Sequence, residues 1–168
     1  SIIRLVDFLI ENGVDYIVVQ GTTVESSTLH KSERNLSRTA FVNANKGRVP
    51  MILGLGSNDT LSIVTDLRSS QFSGFSAILS VTPFYNKPSQ NGLYKHYSAI
   101  SKASPLPIIL YNVPSRTGVN MLSKTTIEIA STYSTIIWLK AACAALNPFH
   151  QSLEQLQQYF MKLSCAAE

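Results

Sequence analysis

Chemically useful side chains follow the ends of three apolar segments of this chain. Lys140 closes one segment, which we expect to be a buried strand. Tyr111 closes another, and Thr22 and Thr23 come just after a third. Arg116 lies five residues beyond Tyr111. A deprotonated amine attacks carbonyls, a phenol moves protons, and a guanidinium grips carboxylates. If the three segments are parallel strands of a closed sheet, their carboxyl ends meet at one face, and this pattern predicts an active site there.

Apolar, β-branched segments alternate with segments that have helical periodicity, at the spacing of βα units. The predicted strands are 16–20, 50–54, 77–81, 107–111 and 135–140, and the predicted helices are 1–10, 31–45, 59–70, 91–103 and 123–131. This order predicts an α/β fold with a parallel sheet, and the spacing alone leaves open doubly wound sheets and closed barrels as alternatives. Gly54-Leu-Gly56 lacks the third glycine of a dinucleotide loop, so that type of site is not expected.

Composition narrows the class of protein. The 168 residues are 45% hydrophobic and 14% charged, which fits one well-buried domain. The net charge of +4 is dispersed, so no nucleic-acid partner is expected, and no apolar stretch reaches the length of a membrane span. Two cysteines, Cys143 and Cys165, form no framework, which favours a reducing, cytoplasmic location. His30, His96 and His150 lack ligand spacing, so surface or packing roles are expected for them and no metal site is expected.

Three segments carry a resemblance to a known family. They are Gly-Thr-Thr-Val-Glu-Ser at 21–26, Val-Thr-Pro-Phe-Tyr-Asn-Lys-Pro-Ser-Gln-Asn-Gly-Leu-Tyr at 81–94, and Ile-Leu-Tyr-Asn-Val-Pro-Ser-Arg-Thr-Gly at 109–118. Together they resemble the dihydrodipicolinate synthase and N-acetylneuraminate lyase family of Schiff-base-forming lyases. The resemblance implies an incomplete (β/α)8 TIM barrel with about strands 2 to 6 present. The expected organisation is one partial barrel domain over 1–168, with 1–140 similar to the family and 141–168 a divergent helical tail.

The resemblance also implies a reaction, the condensation of pyruvate with aspartate semialdehyde without metal or organic cofactor. Lys140 would form the Schiff base with pyruvate, and Tyr111 would exchange protons through Thr22 with Tyr85. Tyr85 would reach into a neighbouring subunit of a homo-oligomer, a dimer of dimers. Thr23 would bind the pyruvate carboxylate. For the carboxylate of the semialdehyde, the resemblance implies Arg116.

Several alternatives stay open at this point. Trp138 and Ala141 stand where the family has glycine and glutamate, and the indole of Trp138 either faces outward or fills space near the site. A strand-end lysine is often a surface residue, and Thr22 and Glu25 would also suit helix capping, the role expected for Glu25. The chain is therefore either a lyase of this type, another pyruvate-dependent aldolase, or an inactive fragment of a barrel. A flavodoxin-like binding module is the remaining alternative.

Overall fold

The computed structural model of the chain describes residues 1–69 and 71–142, without the side chains of Thr23 and Ser27. Its strands are β1 (Ile17–Val19), β2 (Met51–Gly54), β3 (Ala77–Val81), β4 (Ile108–Asn112) and β5 (Ile136–Ala141). Its α-helices are α1 (Ile2–Glu11), α2 (Lys31–Asn45), α3 (Thr60–Ser69), α4 (Gln90–Ala103), α5 (Pro114–Thr117) and α6 (Ser123–Thr132). Two 3₁₀ turns, Thr22–Val24 and Ser26–Thr28, follow β1. The five strands form one sheet in chain order, which confirms the predicted α/β class.

The predicted elements agree with the observed ones within one or two residues. Helix 31–45 and strand 77–81 have the predicted bounds, and the other strands shift by a single residue at one or both ends. Helix α5 and the two 3₁₀ turns were not predicted. A signal for α5 is present in the sequence, because Pro114 occupies the first turn and Gly118 follows the last residue in the left-handed conformation. From residue 143 onward, the helical tail expected over 141–168 lies outside the described residues.

The chain divides into two compact units, and the first comprises residues 1–55 and 71–79. Here α1 packs on α2, and β2 pairs in parallel with β1 and with β3. The apolar residues of this unit that are at most 5% exposed are Val6, Ile17, Val19, Ala44, Met51, Leu53, Ala77 and Ile78. They come from α1 and α2, from alternate positions of β1 and β2, and from two consecutive positions of β3, which is buried on both faces as in a sheet covered by helices.

Buried polar contacts secure the chain where β1 ends. Gln20 has a positive φ of 59°, and its side-chain amide donates to the backbone oxygen of Arg34 and accepts from Arg38 Nε. Gly54 ends β2 beside it, and a Cβ at Gly54 would clash with the carbonyl oxygen of Gln20. The glycine at position 54 is therefore explained by a close approach of two backbones. No nucleotide phosphate is needed to account for it.

The second unit comprises residues 56–70 and 80–168, of which 56–69 and 80–142 are described. Helix α4 packs between α3 and α6, and β4 pairs in parallel with β5. The large apolar and aromatic side chains with least exposure are Ile63, Leu93, Tyr97, Ile100, Ile108, Leu110, Met121, Ile129 and Ile136. The Tyr97 hydroxyl donates to the Ser80 carbonyl oxygen at 3.1 Å, which ties α4 to the end of β3. No helix of the described residues is long and apolar enough to span a membrane.

Asn112, at the end of β4, holds the chain that follows α5. Its side-chain nitrogen donates to Asn120 Oδ1 at 2.8 Å and to the Met121 carbonyl oxygen at 3.3 Å. Its side-chain oxygen accepts from the Met121 backbone nitrogen at 3.1 Å. Gln90 adds a second anchor, because it donates to Asn120 O and accepts from Leu122 N. The amide of Asn112 is fully buried, so these bonds are shielded from water and define one path for the loop.

His96 is a buried histidine on the contact between α3 and α4. Its Nδ1 lies 2.8 Å from the Thr60 hydroxyl, and its Nε2 is buried without a hydrogen-bond partner among the described residues. Burial lowers the pKa of His96 from 6.5 to about 4, because the charged imidazolium is poorly solvated there. The packing role expected for His96 in the sequence agrees with this position.

We predict that His96 makes the fold sensitive to mild acid. Since the folded-state pKa is depressed, its contribution to stability is complete above pH 6.5 and is lost as pH falls from 6.5 towards 4. We expect the wild-type free energy of unfolding in urea to fall by about 2 kcal/mol more between pH 7 and pH 5 than that of His96→Gln. The exposed His30→Gln serves as the matched control and should behave as wild type. Equal acid sensitivity in wild type and His96→Gln would contradict this role.

Candidate active site

Lys140 and Tyr111 are direct partners on neighbouring parallel strands. The register pairs Tyr111 with Lys140 and Ile109 with Trp138, so these four side chains share one face, which we call the site face. The Lys140 Nζ lies 5.0 Å from the centroid of the Tyr111 ring, within the range of a cation–π contact. Tyr111 is 9% exposed. The amine of Lys140 and the aromatic ring of Tyr111 are thus adjacent.

Strand β5 is more open than the sequence indicated. Lys140 was expected to close a buried strand, and that expectation of burial is wrong for the described residues. Only Ile136 is fully buried, whereas Ile137 and Lys140 are exposed. The physical reason is the position of β5 at the end of the sheet order, where β4 is its one strand neighbour in the described part of the chain.

A one-residue irregularity in β5 determines which side chains reach the site face. Ile108 pairs with Ile136, yet the next residue of β4, Ile109, pairs with Trp138, so Ile137 is an extra residue, as in a β-bulge. Before the irregularity, Ile136 lies on the fully buried face with Ile108. After it, Trp138 and Lys140 lie on the opposite face. Simple alternation from Ile136 would have placed Lys140 on the buried face.

The two departures from the family pattern lie on different faces of β5. Trp138 shares the site face with Lys140, so of the two alternatives for its indole, the structure places it near the site. Ala141 pairs with Asn112, which is buried on the other face. The carboxylate that the family pattern would supply at position 141 therefore has no place on the site face of this chain.

Arg116 lies on α5, in a segment that is joined to the loop after β3. The Tyr85 backbone nitrogen donates to the Thr117 carbonyl oxygen at 3.3 Å, and the Lys87 side chain lies against Gly118, which has a φ of 72°. Arg116 itself is exposed. The Tyr85 side chain is 85% exposed and its φ is 71°, an uncommon value for a tyrosine. The backbone thus presents both the guanidinium and the Tyr85 phenol to solvent.

Thr22 and Thr23 belong to the first compact unit, where they begin the 3₁₀ turn after β1. The Thr22 side chain is exposed, and its carbonyl oxygen accepts from Glu25 N at 3.3 Å. The predicted relay from Tyr111 through Thr22 to Tyr85 stays a prediction. The capping role expected for Glu25 is wrong, because Glu25 adopts a left-handed conformation without a side-chain cap bond. Glu33 instead accepts from His30 N at 2.8 Å, where α2 begins.

Sequence reasoning did not identify three polar residues whose hydrogen bonds fix the backbone near Tyr111 and Arg116. Asn112 on β4 and Gln90 on α4 hold the segment before α6 by bonds to Met121 and Leu122, and the Thr117 hydroxyl donates to the Val113 carbonyl oxygen at the start of α5. The sequence signal for Asn112 and Thr117 is their position directly after Tyr111 and Arg116. In the described part of the chain, no group of three or more His, Cys, Asp or Glu residues is placed to hold a metal ion. Cys143, His150 and Cys165 lie outside the described residues.

Relatives of known name match almost the whole chain. A 4-hydroxy-tetrahydrodipicolinate synthase of Flavobacterium psychrophilum is 48% identical over 161 residues, which are 96% of this chain and 55% of that protein. One of Parabacteroides distasonis is 50% identical over 161 residues, or 96% of this chain and 54% of that protein. The chain therefore spans about half the length of these curated relatives.

Solved structures agree with this comparison. A dihydrodipicolinate synthase from Acinetobacter baumannii, complexed with pyruvate, is 38% identical and superposes with a TM-score of 0.86 over 93% of this chain and 53% of that one. Another dihydrodipicolinate synthase, at 42% identity, gives a TM-score of 0.83 over 93% of this chain and 53% of that one. The parallel sheet and its likeness to about half of these chains confirm an incomplete (β/α)8 barrel.

The predicted family resemblance rests on three segments, and the family comparison extends it well beyond them. The model of the dihydrodipicolinate synthetase family matches residues 1–167. The match includes the strands that carry Tyr111 and Lys140 and the turn that carries Thr22 and Thr23. The chain belongs to the dihydrodipicolinate synthetase family.

Proposed function

We propose that this chain carries out the reaction of a 4-hydroxy-tetrahydrodipicolinate synthase, the condensation of pyruvate with aspartate semialdehyde through a Schiff base on Lys140. One observation carries the proposal most directly. The amine of Lys140 lies over the ring of Tyr111 on the site face, 5.0 Å from its centroid. Support also comes from the names of the relatives and from the pyruvate complex of a related structure.

The proposed chemistry begins at the Lys140 amine. In its neutral form the amine attacks the keto carbon of pyruvate, and loss of water leaves an iminium. The iminium withdraws electrons, so a methyl proton departs and an enamine forms. The enamine carbon then attacks the aldehyde carbon of the semialdehyde, which forms the new carbon–carbon bond while the aldehyde oxygen takes up a proton. No metal or organic cofactor takes part in the proposed reaction.

Tyr111 is the proposed proton donor and acceptor for these steps. It is the nearest aromatic hydroxyl side chain to Lys140 that the register provides, and its position on the adjacent strand is fixed by the pairing. We propose that Thr22 and Tyr85 complete a proton relay with it, and that Thr23 binds the pyruvate carboxylate. The exposure of Tyr85 agrees with a side chain that acts outside its own chain.

Arg116 is the proposed ligand for the carboxylate of aspartate semialdehyde. Its guanidinium is exposed and sits on a short helix whose end is fixed by Gly118 and by the loop at Tyr85. A planar guanidinium binds a carboxylate with two parallel hydrogen bonds, which gives both affinity and orientation. This residue separates the proposed reaction from those of other pyruvate-dependent aldolases of the family.

The proposed setting is a cytoplasmic homo-oligomer acting in lysine and diaminopimelate biosynthesis. We further propose one partial barrel domain over 1–168, with 1–140 as the family-like part and 141–168 as a divergent tail. Because the chain spans about half the length of its relatives, the principal competing hypothesis is an inactive fragment. The two hypotheses differ in whether the Lys140 amine reacts with pyruvate.

We predict that pyruvate forms a reducible adduct on Lys140. Protein incubated with pyruvate and then reduced with borohydride should carry the adduct on the peptide that contains Lys140, as read by mass spectrometry. Lys140→Arg should abolish it, because a guanidinium stays protonated and does not form the imine. Lys124→Arg, which changes an exposed lysine on α6, is the matched control and should retain it. A folded protein without an adduct on Lys140 would refute the proposed function.

We predict that Arg116→Ala weakens the reaction with aspartate semialdehyde and leaves the pyruvate adduct intact. Loss of a charge-assisted carboxylate contact costs about 1.5–3 kcal/mol, so kcat/KM for the semialdehyde should fall roughly 10- to 100-fold. The exposed Arg68→Ala is the control and should leave both measurements unchanged. If Arg116→Ala reduces adduct formation and semialdehyde turnover equally, Arg116 is not the semialdehyde ligand.

A further inference from the structure

Trp138 is the one tryptophan of the chain, and no step of the proposed reaction uses it. It pairs with Ile109 on the site face, one layer below the pair formed by Tyr111 and Lys140. Two residues along a strand separate their Cα atoms by about 6.6 Å, a distance that an indole ring covers. Trp138 therefore shares the face of the Lys140 amine and lies two residues before it on the same strand.

The Trp138 side chain is also partly exposed. It is 52% exposed, whereas Ile109 opposite is half-buried and Tyr111 is 9% exposed. It is thus the most accessible large apolar surface on the site face beside the amine. An indole is rigid and presents a flat apolar wall, so it resists a bulky group more firmly than a flexible side chain does.

We propose that Trp138 forms the floor of the site beside Lys140 and restricts the amine to three-carbon 2-oxo acids. This inference rests on the proposed function, since it assumes an imine at Lys140. A 2-oxo acid with a longer carbon chain would have to place its extra carbons against the indole. Hydrophobic sites discriminate about 10- to 200-fold for one methylene, so the expected selectivity is of this order.

The test is a competition between two acids for the same amine. Protein is incubated with equal concentrations of pyruvate and 2-oxobutyrate and reduced with borohydride, and the ratio of the two adducts on the Lys140 peptide is measured. We expect Trp138→Ala to raise the share of the 2-oxobutyrate adduct about tenfold relative to wild type. The ratio is independent of how much protein is folded, because both acids compete for the same molecules.

Leu139→Ala is the matched control, because Leu139 pairs with Leu110 and lies on the opposite face of the same strand. It should leave the adduct ratio unchanged even if it lowers stability. An unchanged ratio in Trp138→Ala, with the pyruvate adduct retained, would overturn the inference and leave the proposed function standing. No adduct in any variant would overturn both. A pyruvate adduct in Trp138→Ala but not in wild type would also overturn the inference, because the indole would then occupy the pyruvate position itself.

Fluorescence gives a second readout, because the emission of the protein's tryptophan comes from this position alone. Pyruvate should change the emission of wild type as the imine forms, and the change should be absent in Lys140→Arg. An unchanged wild-type emission, with the adduct present on Lys140, would show that the indole does not border the imine and would overturn the inference.

Discussion

The extra residue in β5 decides which face of that strand carries the amine. Ile136 follows the register of the buried face, and the irregularity at Ile137 moves Trp138 and Lys140 to the face of Tyr111. Without it, Lys140 would lie on the side of Ile108 and Leu110, both fully buried. A charged side chain is costly there, and it would be separated from the phenol by the sheet. The proposed chemistry therefore depends on one backbone irregularity as much as on the identity of its residues.

Buried hydrogen bonds near the ends of β3 and β4 fix the backbone around Tyr111. Asn112 directs its buried amide at the backbone of Met121, and Tyr97 reaches from α4 to the end of β3. The loop that carries Tyr85 is joined by a backbone hydrogen bond to Thr117, next to Arg116. These contacts are polar and directional, so they restrict the positions of the backbone more tightly than apolar contact alone. The backbone segments that carry the exposed residues of the proposed site are thus held in place by hydrogen bonds.

Much of the fold could be predicted from the sequence, because the periodicity of apolar residues indicates where strands and helices alternate. The strand at 77–81 and the helix at 31–45 have strong patterns and clear ends, and both were predicted with their observed bounds. The irregularity at Ile137 was not accessible, since Ile-Ile-Trp-Leu is uniformly apolar and shows no alternation that could be broken. The exposure of Lys140 escaped prediction for another reason. The exposure of Lys140 depends on which strands flank β5, and the sequence of β5 alone does not determine its neighbours in the sheet.

The most direct test of the account is a measurement of which residue of β5 faces Tyr111. Neighbouring parallel strands place paired Cα atoms about 4.8 Å apart, within the range that a disulfide spans. In a background of Cys143→Ser and Cys165→Ser, Tyr111→Cys is combined with either Lys140→Cys or Leu139→Cys. Mild oxidation should form the disulfide with position 140 and not with position 139. A disulfide with position 139 instead would mean that β5 is regular, and it would contradict the shared face of Lys140 and Tyr111.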